Sequence, residues 1–229
     1  MPKILSIESG TSLCSVALSQ GKQIVALRES NGEIAHAAKL SVFIDELLNQ
    51  QNLDVSDLDA IAISEGPGSY TGMRIGVSTA KGLCFGANKP LIAIGSLLSL
   101  TKLAVEKIKP SSEMFLCPMI DARRMEVYTA LFDSDAKMIN QVSAQIVDEN
   151  TFTELLRTNK IIFFGDGAEK CKSVINSSNA IFADVQASAK GMIDIAVEKF
   201  TNADFVDIAY FEPFYLKDFV VTTTKKKIF

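Results

Sequence analysis

Glu65-Gly66-Pro67-Gly68-Ser69-Tyr70-Thr71-Gly72-Met73-Arg74-Ile75-Gly76 joins an apolar run to a helical pattern through a turn of glycines and hydroxyls. The run before it, Ala60-Ile61-Ala62-Ile63-Ser64, is short, apolar and partly β-branched, which predicts a strand covered on both faces. After the turn, small residues recur four apart at Gly72, Gly76 and Ala80, so they line one side of a helix and let another backbone approach it closely. A doubly covered strand, a tight turn and a helix together mark an α/β protein. The closeness could serve a ligand, a partner chain or the fold itself, and these residues alone leave the choice open.

Outward from that segment, three strands are predicted over residues 3–8, 13–19 and 22–29, the last two joined by the hairpin turn Gln20-Gly21. A helix fits 36–50, where Leu40, Ile44, Leu47 and Leu48 share a face, and the strand over 59–64 leads into the glycine turn. A strand over 91–94 and a helix over 96–108 follow, and Lys109-Pro110-Ser111-Ser112 reads as a linker. The pattern then begins again. Strands are predicted over 115–120, 126–132, 141–147 and 161–164, with helices over 151–158, 168–175 and 189–202. Two similar α/β units are therefore expected, 1–108 and 109–229, with the last long helix able to pack back on the first unit.

Composition bounds the function. Hydrophobic residues make up 48% and charged residues 22%, and no apolar run approaches the roughly 20 residues of a membrane span. The opening Met1-Pro2-Lys3-Ile4-Leu5 lacks a secretory pattern, so a cytoplasmic location is expected. A net charge of −4 argues against nucleic-acid binding over a broad surface, while allowing a local basic patch. Cys14, Cys84, Cys117 and Cys171 are scattered without CxxC spacing and are expected to be buried thiols. The tail carries Lys225-Lys226-Lys227, expected to be solvated.

Three more turns could surround one cleft in a doubled fold: Glu8-Ser9-Gly10-Thr11-Ser12, Asp121-Ala122-Arg123-Arg124 and Gly165-Asp166-Gly167-Ala168. Glycine admits phosphate close to backbone N–H groups, hydroxyls donate to it, and a carboxylate can hold Mg²⁺ through water. The same turns are also ordinary connections. His36 is the sole histidine, which excludes a His-x-x-x-His metal pair by counting; at the start of its helix it is expected to be structural or interfacial rather than a catalytic base.

Gly66 to Gly76, with Ala80-Lys81-Gly82-Leu83 after it, resembles the signature of the bacterial TsaB family, also called YeaZ, of tRNA threonylcarbamoyladenosine biosynthesis. Ile7-Glu8-Ser9-Gly10-Thr11 with Cys14 to Leu18, His36 and its helix, Ile120 to Tyr128, and Pro213-Phe214-Tyr215-Leu216-Lys217 resemble further elements of that family. The resemblance implies two ribonuclease-H-like domains of the actin, sugar-kinase and heat-shock-ATPase type, each a mixed sheet with flanking helices. It implies a non-catalytic subunit that pairs with the transferase TsaD and works with the ATPase TsaE. The complex would use Mg-ATP and threonylcarbamoyl-adenylate to modify N6 of the adenosine 3′ of the anticodon, in tRNAs reading codons that begin with A.

The same resemblance places the paralogue's histidine pair at about Ser96 and Leu100, neither of them able to replace it. Glu8 and Gly10 stand where the family more often has Asp and Ser, so weak or no nucleotide binding is expected. Glu8, Gly10, Thr11, Asp121, Gly165, Asp166 and Gly167 would then be vestigial cleft positions. The implied pairing face is formed by the helices over 36–50 and 72–85. Val42 and Phe43 make a second apolar stripe there, and Gly72, Gly76 and Ala80 would admit a helix of the partner, so His36, Val42, Phe43, Gly72, Met73, Gly76 and Ala80 are the expected partner contacts. A homodimer through the same face is expected without the partner, tRNA being met through the complex. The alternatives are burial of these surfaces within the monomer, and a small ATP-dependent kinase using Glu8, Asp121 or Asp166. A peptidase is disfavoured by the lone histidine.

Overall fold

The computed structural model describes residues 1–31 and 35–217, without the side chains of residues 31 and 35–38. The apolar run before the glycine turn is strand β4 (Ala60–Gly66), buried throughout from Ala60 to Ser64. It pairs in parallel with β1 (Lys3–Glu8) on one side and β5 (Leu91–Gly95) on the other. β1 continues into β2 (Leu13–Gln20) and β3 (Gln23–Asn31) as an antiparallel meander, giving the order β3-β2-β1-β4-β5.

Burial on both faces explains why the central strands read as unbroken apolar runs. One face carries Leu5, Ile7, Val16, Ile61 and Ile63, under α1 (Ala35–Gln50) and α2 (Tyr70–Ala87). The alternate residues Ile4, Ala17, Ala60 and Ala62 face the other way. Ser69 caps α2 by accepting from the Gly72 N–H at 3.3 Å, and Asn88 ends the helix in the left-handed region.

The second half repeats the winding. β6 (Met114–Asp121), β7 (Glu126–Thr129) and β8 (Ser143–Ile146) form the antiparallel meander. β9 (Lys160–Phe164) and β10 (Ala180–Phe182) add in parallel, giving β10-β9-β6-β7-β8. The two sheets have the same connectivity, that of paired ribonuclease-H-like units. Some boundaries differ from expectation. The strand predicted over 126–132 stops at Thr129, after which Phe132 bonds separately to Leu116. α4 spans Thr153–Thr158, and the helix predicted over 168–175 is the single turn α5 (Ala168–Cys171).

The helices cross between the halves. α3 (Ser96–Ile108) lies within the first half of the sequence, yet Leu97, Leu100 and Ala104 pack on Leu116, Ile120 and Phe164 of the second sheet. The 3-10 turn Ala189–Met192 and α6 (Ile193–Thr201) pack Ala189, Met192, Ile193 and Ala196 on the first sheet. A cut at residue 108 therefore divides the sequence but not the cores. α3 and the 3-10 turn meet backbone to backbone, since a Cβ built on Gly191 would lie 2.2 Å from the Ser99 carbonyl oxygen.

The segment 206–217, grouped by sequence with the second unit, runs along the first. The Val206 N–H donates to the Leu91 carbonyl at 2.9 Å and the Phe214 N–H to the Glu65 carbonyl at 2.7 Å. Gly66 makes the second crossing possible: it has φ +112°, and a Cβ there would meet the Phe214 carbonyl at 2.8 Å. The strap then returns to the second unit, where Lys217 pairs with Glu126. Lys225, Lys226 and Lys227 lie outside the described residues. Among the described residues no helix is long and apolar enough to cross a membrane.

Candidate functional site

The fold brings the predicted turns together at the ends of β1, β4, β6 and β9. The β1–β2 turn lies directly under the glycine turn: the Ser69 N–H donates to the Gly10 carbonyl at 2.6 Å. A Cβ on Gly68 would stand 2.1 Å from that carbonyl oxygen, and one on Gly72 2.1 Å from the Ser9 carbonyl oxygen. One on Gly76 would stand 2.0 Å from Ser9 Oγ. The close approach written into this segment is thus made by the chain's own β1–β2 turn.

The second unit closes on the same place. Asp166 Oδ2 accepts from the N–H and hydroxyl of Ser12 at 3.3 and 3.4 Å, and its Oδ1 accepts from the Asp121 N–H at 3.0 Å. Asp121 in turn accepts from the Arg123 N–H at 2.7 Å and pairs with Lys170 at 2.5 Å. Gly165 and Gly167 bring β9 onto β6, with the Gly167 N–H donating to the Met119 carbonyl at 3.0 Å. Thr11 is buried, and its hydroxyl accepts from the Leu13 N–H at 3.3 Å.

Glu8 sits at the bottom, fully buried. Its Oε1 accepts from the Gly10 N–H at 2.7 Å, while Oε2 and the hydroxyls of Ser6, Ser9 and Ser96 have no partner among the described residues. Burial, and to a lesser degree the Asp166 charge, push the Glu8 carboxyl up to about 7, against hydrogen bonds that lower it. This arrangement does not fit a Mg-nucleotide. The room glycine would leave for phosphate is filled by neighbouring backbone, and the Asp166 and Asp121 carboxylates are engaged by the chain. Among the described residues no three His, Cys, Asp or Glu side chains gather as a metal site. The positions that the resemblance sets against the paralogue's histidines are buried, Ser96 at the start of α3 and Leu100 in the second core.

The expected partner face needs correction. Gly72, Met73, Gly76 and Ala80 are all buried against the first sheet or its β1–β2 turn, so this stripe cannot seat a helix of another chain. Phe43 is partly buried against the first core, whereas Val42 is 48% exposed. The side chain of His36 lies outside the described residues. What faces outward on α2 is a second small stripe, Ser78, Gly82 and Gly86, beside Phe85, which is 84% exposed. A Cβ at Gly82 or Gly86 would meet nothing within 4 Å, so the monomer gives no packing reason for either glycine. This stripe is spaced four apart like the first and was equally legible in the sequence.

A family model described as TsaD, tRNA N6-adenosine threonylcarbamoyltransferase, matches residues 30–211. The "tRNA threonylcarbamoyladenosine biosynthesis protein TsaB" of Escherichia coli is 28% identical over 223 residues, covering 94% of this chain and 95% of its own. The chain belongs to the TsaB (YeaZ) family, within the TsaD type. The TsaB of Bacillus subtilis is 29% identical, covering 75% of this chain and 74% of its own. A threonylcarbamoyltransferase of Erythrobacter litoralis, by contrast, matches over 63 residues, only 18% of its length. The structure titled "YeaZ from Pseudomonas aeruginosa" superposes with TM-score 0.78 at 23% identity, covering 94% of this chain and all of that one, which establishes the shared TsaB fold.

Proposed function

We propose that this chain is the non-catalytic partner subunit of a tRNA threonylcarbamoyl transferase, pairing with TsaD and working with the ATPase TsaE. The observation that carries the reading is the end-to-end match to TsaB proteins, set beside turns whose phosphate-facing positions are filled by the chain itself. In this reading Mg-ATP and threonylcarbamoyl-adenylate are used by the complex, and nothing is tightly held by this chain. The pairing surface is the outer side of α1 and α2, centred on Val42, Gly82, Phe85 and Gly86. Exposed Phe85 supplies an anchor, and the glycines let a partner helix come close. Alone, the same surface would pair two copies.

Reconstitution tests the role. TsaD, TsaE, tRNA and threonylcarbamoyl-adenylate should modify the tRNA only when this chain is added; full modification without it sinks the proposal. Phe85→Asp should weaken co-purification with TsaD by about 30-fold, as expected for loss of a buried aromatic anchor, and leave the melting temperature unchanged. Mg-ATP binding by the isolated chain, read by calorimetry, would favour the kinase alternative instead.

A further inference from the structure

The chain has four tyrosines, and three of them, Tyr70, Tyr210 and Tyr215, lie on the rim made by α2 and the strap that crosses it, while Tyr128 lies within electrostatic reach of Lys217 at the end of the strap. Tyr70 and Tyr215 meet with ring centroids 5.0 Å apart, and the Arg74 guanidinium lies over the Tyr70 ring at 5.3 Å. Two helical turns along α2, about 10 Å away, Lys81 donates to the carbonyls that flank Tyr210, which is 84% exposed. At the other end, Lys217 and Arg123 are the cations in electrostatic reach of the half-buried Tyr128.

The charges are not evenly matched along this rim. Lys170 pairs with Asp121 and Lys217 with Glu126. The exposed guanidiniums of Arg123 and Arg124 have no hydrogen bond or ion pair among the described residues. Both residues hold the left-handed backbone, φ 70° and 49°, where a non-glycine residue is strained. The turn thus holds two consecutive unmatched arginines outward at a cost. The exposed apolar side chains of the rim are aromatic, Tyr210, Phe214 and Tyr215, and offer flat faces on which an unpaired base can stack.

We propose that this rim binds single-stranded RNA, with exposed tyrosine rings as stacking surfaces for bases and Arg74, Arg123 and Arg124 as partners for the phosphates. Stacking tolerates any base and arginines follow the backbone, so the strip would hold an unpaired segment without reading its sequence. The choice of RNA rests on the proposed role in tRNA modification. The strip would let this subunit hold the substrate beside the enzyme it pairs with, despite the chain's net charge of −4.

Fluorescence anisotropy with a labelled oligoadenylate of about 12 nucleotides, against an RNA duplex of equal length, tests it. Binding is expected to favour the single strand and to weaken between about 50 and about 200 mM salt. Tyr215→Ala should lower affinity about tenfold, and Arg123→Gln with Arg124→Gln should reduce the salt slope by about 1. The arginine pair is fully outward and decides the matter should Tyr215→Ala loosen the strap. Salt-independent or absent binding, unchanged affinity in the arginine variant, or loss of TsaD pairing with RNA affinity intact would each overturn the proposal. Failure of wild-type pairing with TsaD is read separately by co-purification and would count against the proposed role, not against this strip.

Discussion

Gly72→Ala should destabilise the chain by about 3 kcal/mol or more, whereas Gly82→Ala, ten residues along the same helix, should stabilise it by about 0.5–1 kcal/mol. At Gly72 the added carbon would stand 2.1 Å from a backbone oxygen of the β1–β2 turn. No flexible side chain can yield there, so α2 must lift from the first sheet and lose part of the packing of Met73, Val77 and Ala80. At Gly82 the added methyl meets nothing, and only the conformational cost of glycine in a helix is removed. For a chain of this length the expected difference in melting temperature is roughly 6 °C or more, with opposite signs against wild type. Thermal unfolding of the two variants reads it, and equal shifts would mean that the α2 contact with Ser9 is not as close as described. A larger side chain at Gly76 would likewise report on the fold rather than on a partner. Gly82→Leu is the change that should spare the monomer and disturb pairing.

These two glycines show what the sequence could and could not disclose. A four-residue spacing of small residues says that something comes close to a helix, but two such stripes exist on α2 and spacing does not say which one faces inward. The Gly72 stripe meets the chain itself because β4 delivers the helix over the β1–β2 turn, a consequence of sheet order. The doubly covered strands were legible because residues such as Ile61 and Ile63 on one face and Ala60 and Ala62 on the other are all apolar. β10 was not, since Ala180-Ile181-Phe182 is too short an edge strand to show a period. Nor was the crossing of α3 onto the second core, because amphipathic helices declare an apolar face and not the sheet that receives it; the return of the last long helix to the first unit, by contrast, was among the expectations. The convergence of Glu8, Asp121 and Asp166 followed from the repeat. The packing of Gly68, Gly72 and Gly76 onto the β1–β2 turn did not, because it depends on separations of a few tenths of an ångström.

Glu8→Gln is expected to make the protein more stable at pH 8, by up to about 3 kcal/mol, and to flatten its stability between pH 4.5 and 7. The sign follows from the direction of the shift. Burial raises the Glu8 carboxyl from 4.5 to about 7 in the folded chain, so the folded state holds this proton more tightly than the unfolded one. Its contribution is therefore fully present below pH 4.5, falls as the pH rises, and is gone above 7, where the folded chain carries a fully buried carboxylate. An amide oxygen can still accept from the Gly10 N–H, and the substitution removes the charge while placing an NH2 donor where Oε2 stood. Denaturant titrations at a series of pH values measure the effect; parallel profiles for wild type and variant from pH 5 to 8 would show that Glu8 does not titrate there. A carboxyl that keeps its proton close to neutrality is also a poor holder for a divalent cation, which needs the anion. Millimolar Mg²⁺ at pH 6, where Glu8 holds its proton, should accordingly leave wild-type melting unchanged. A cation that did reach Glu8 would stabilise the chain and hold the carboxyl ionised, turning the residue from a buried liability into a ligand.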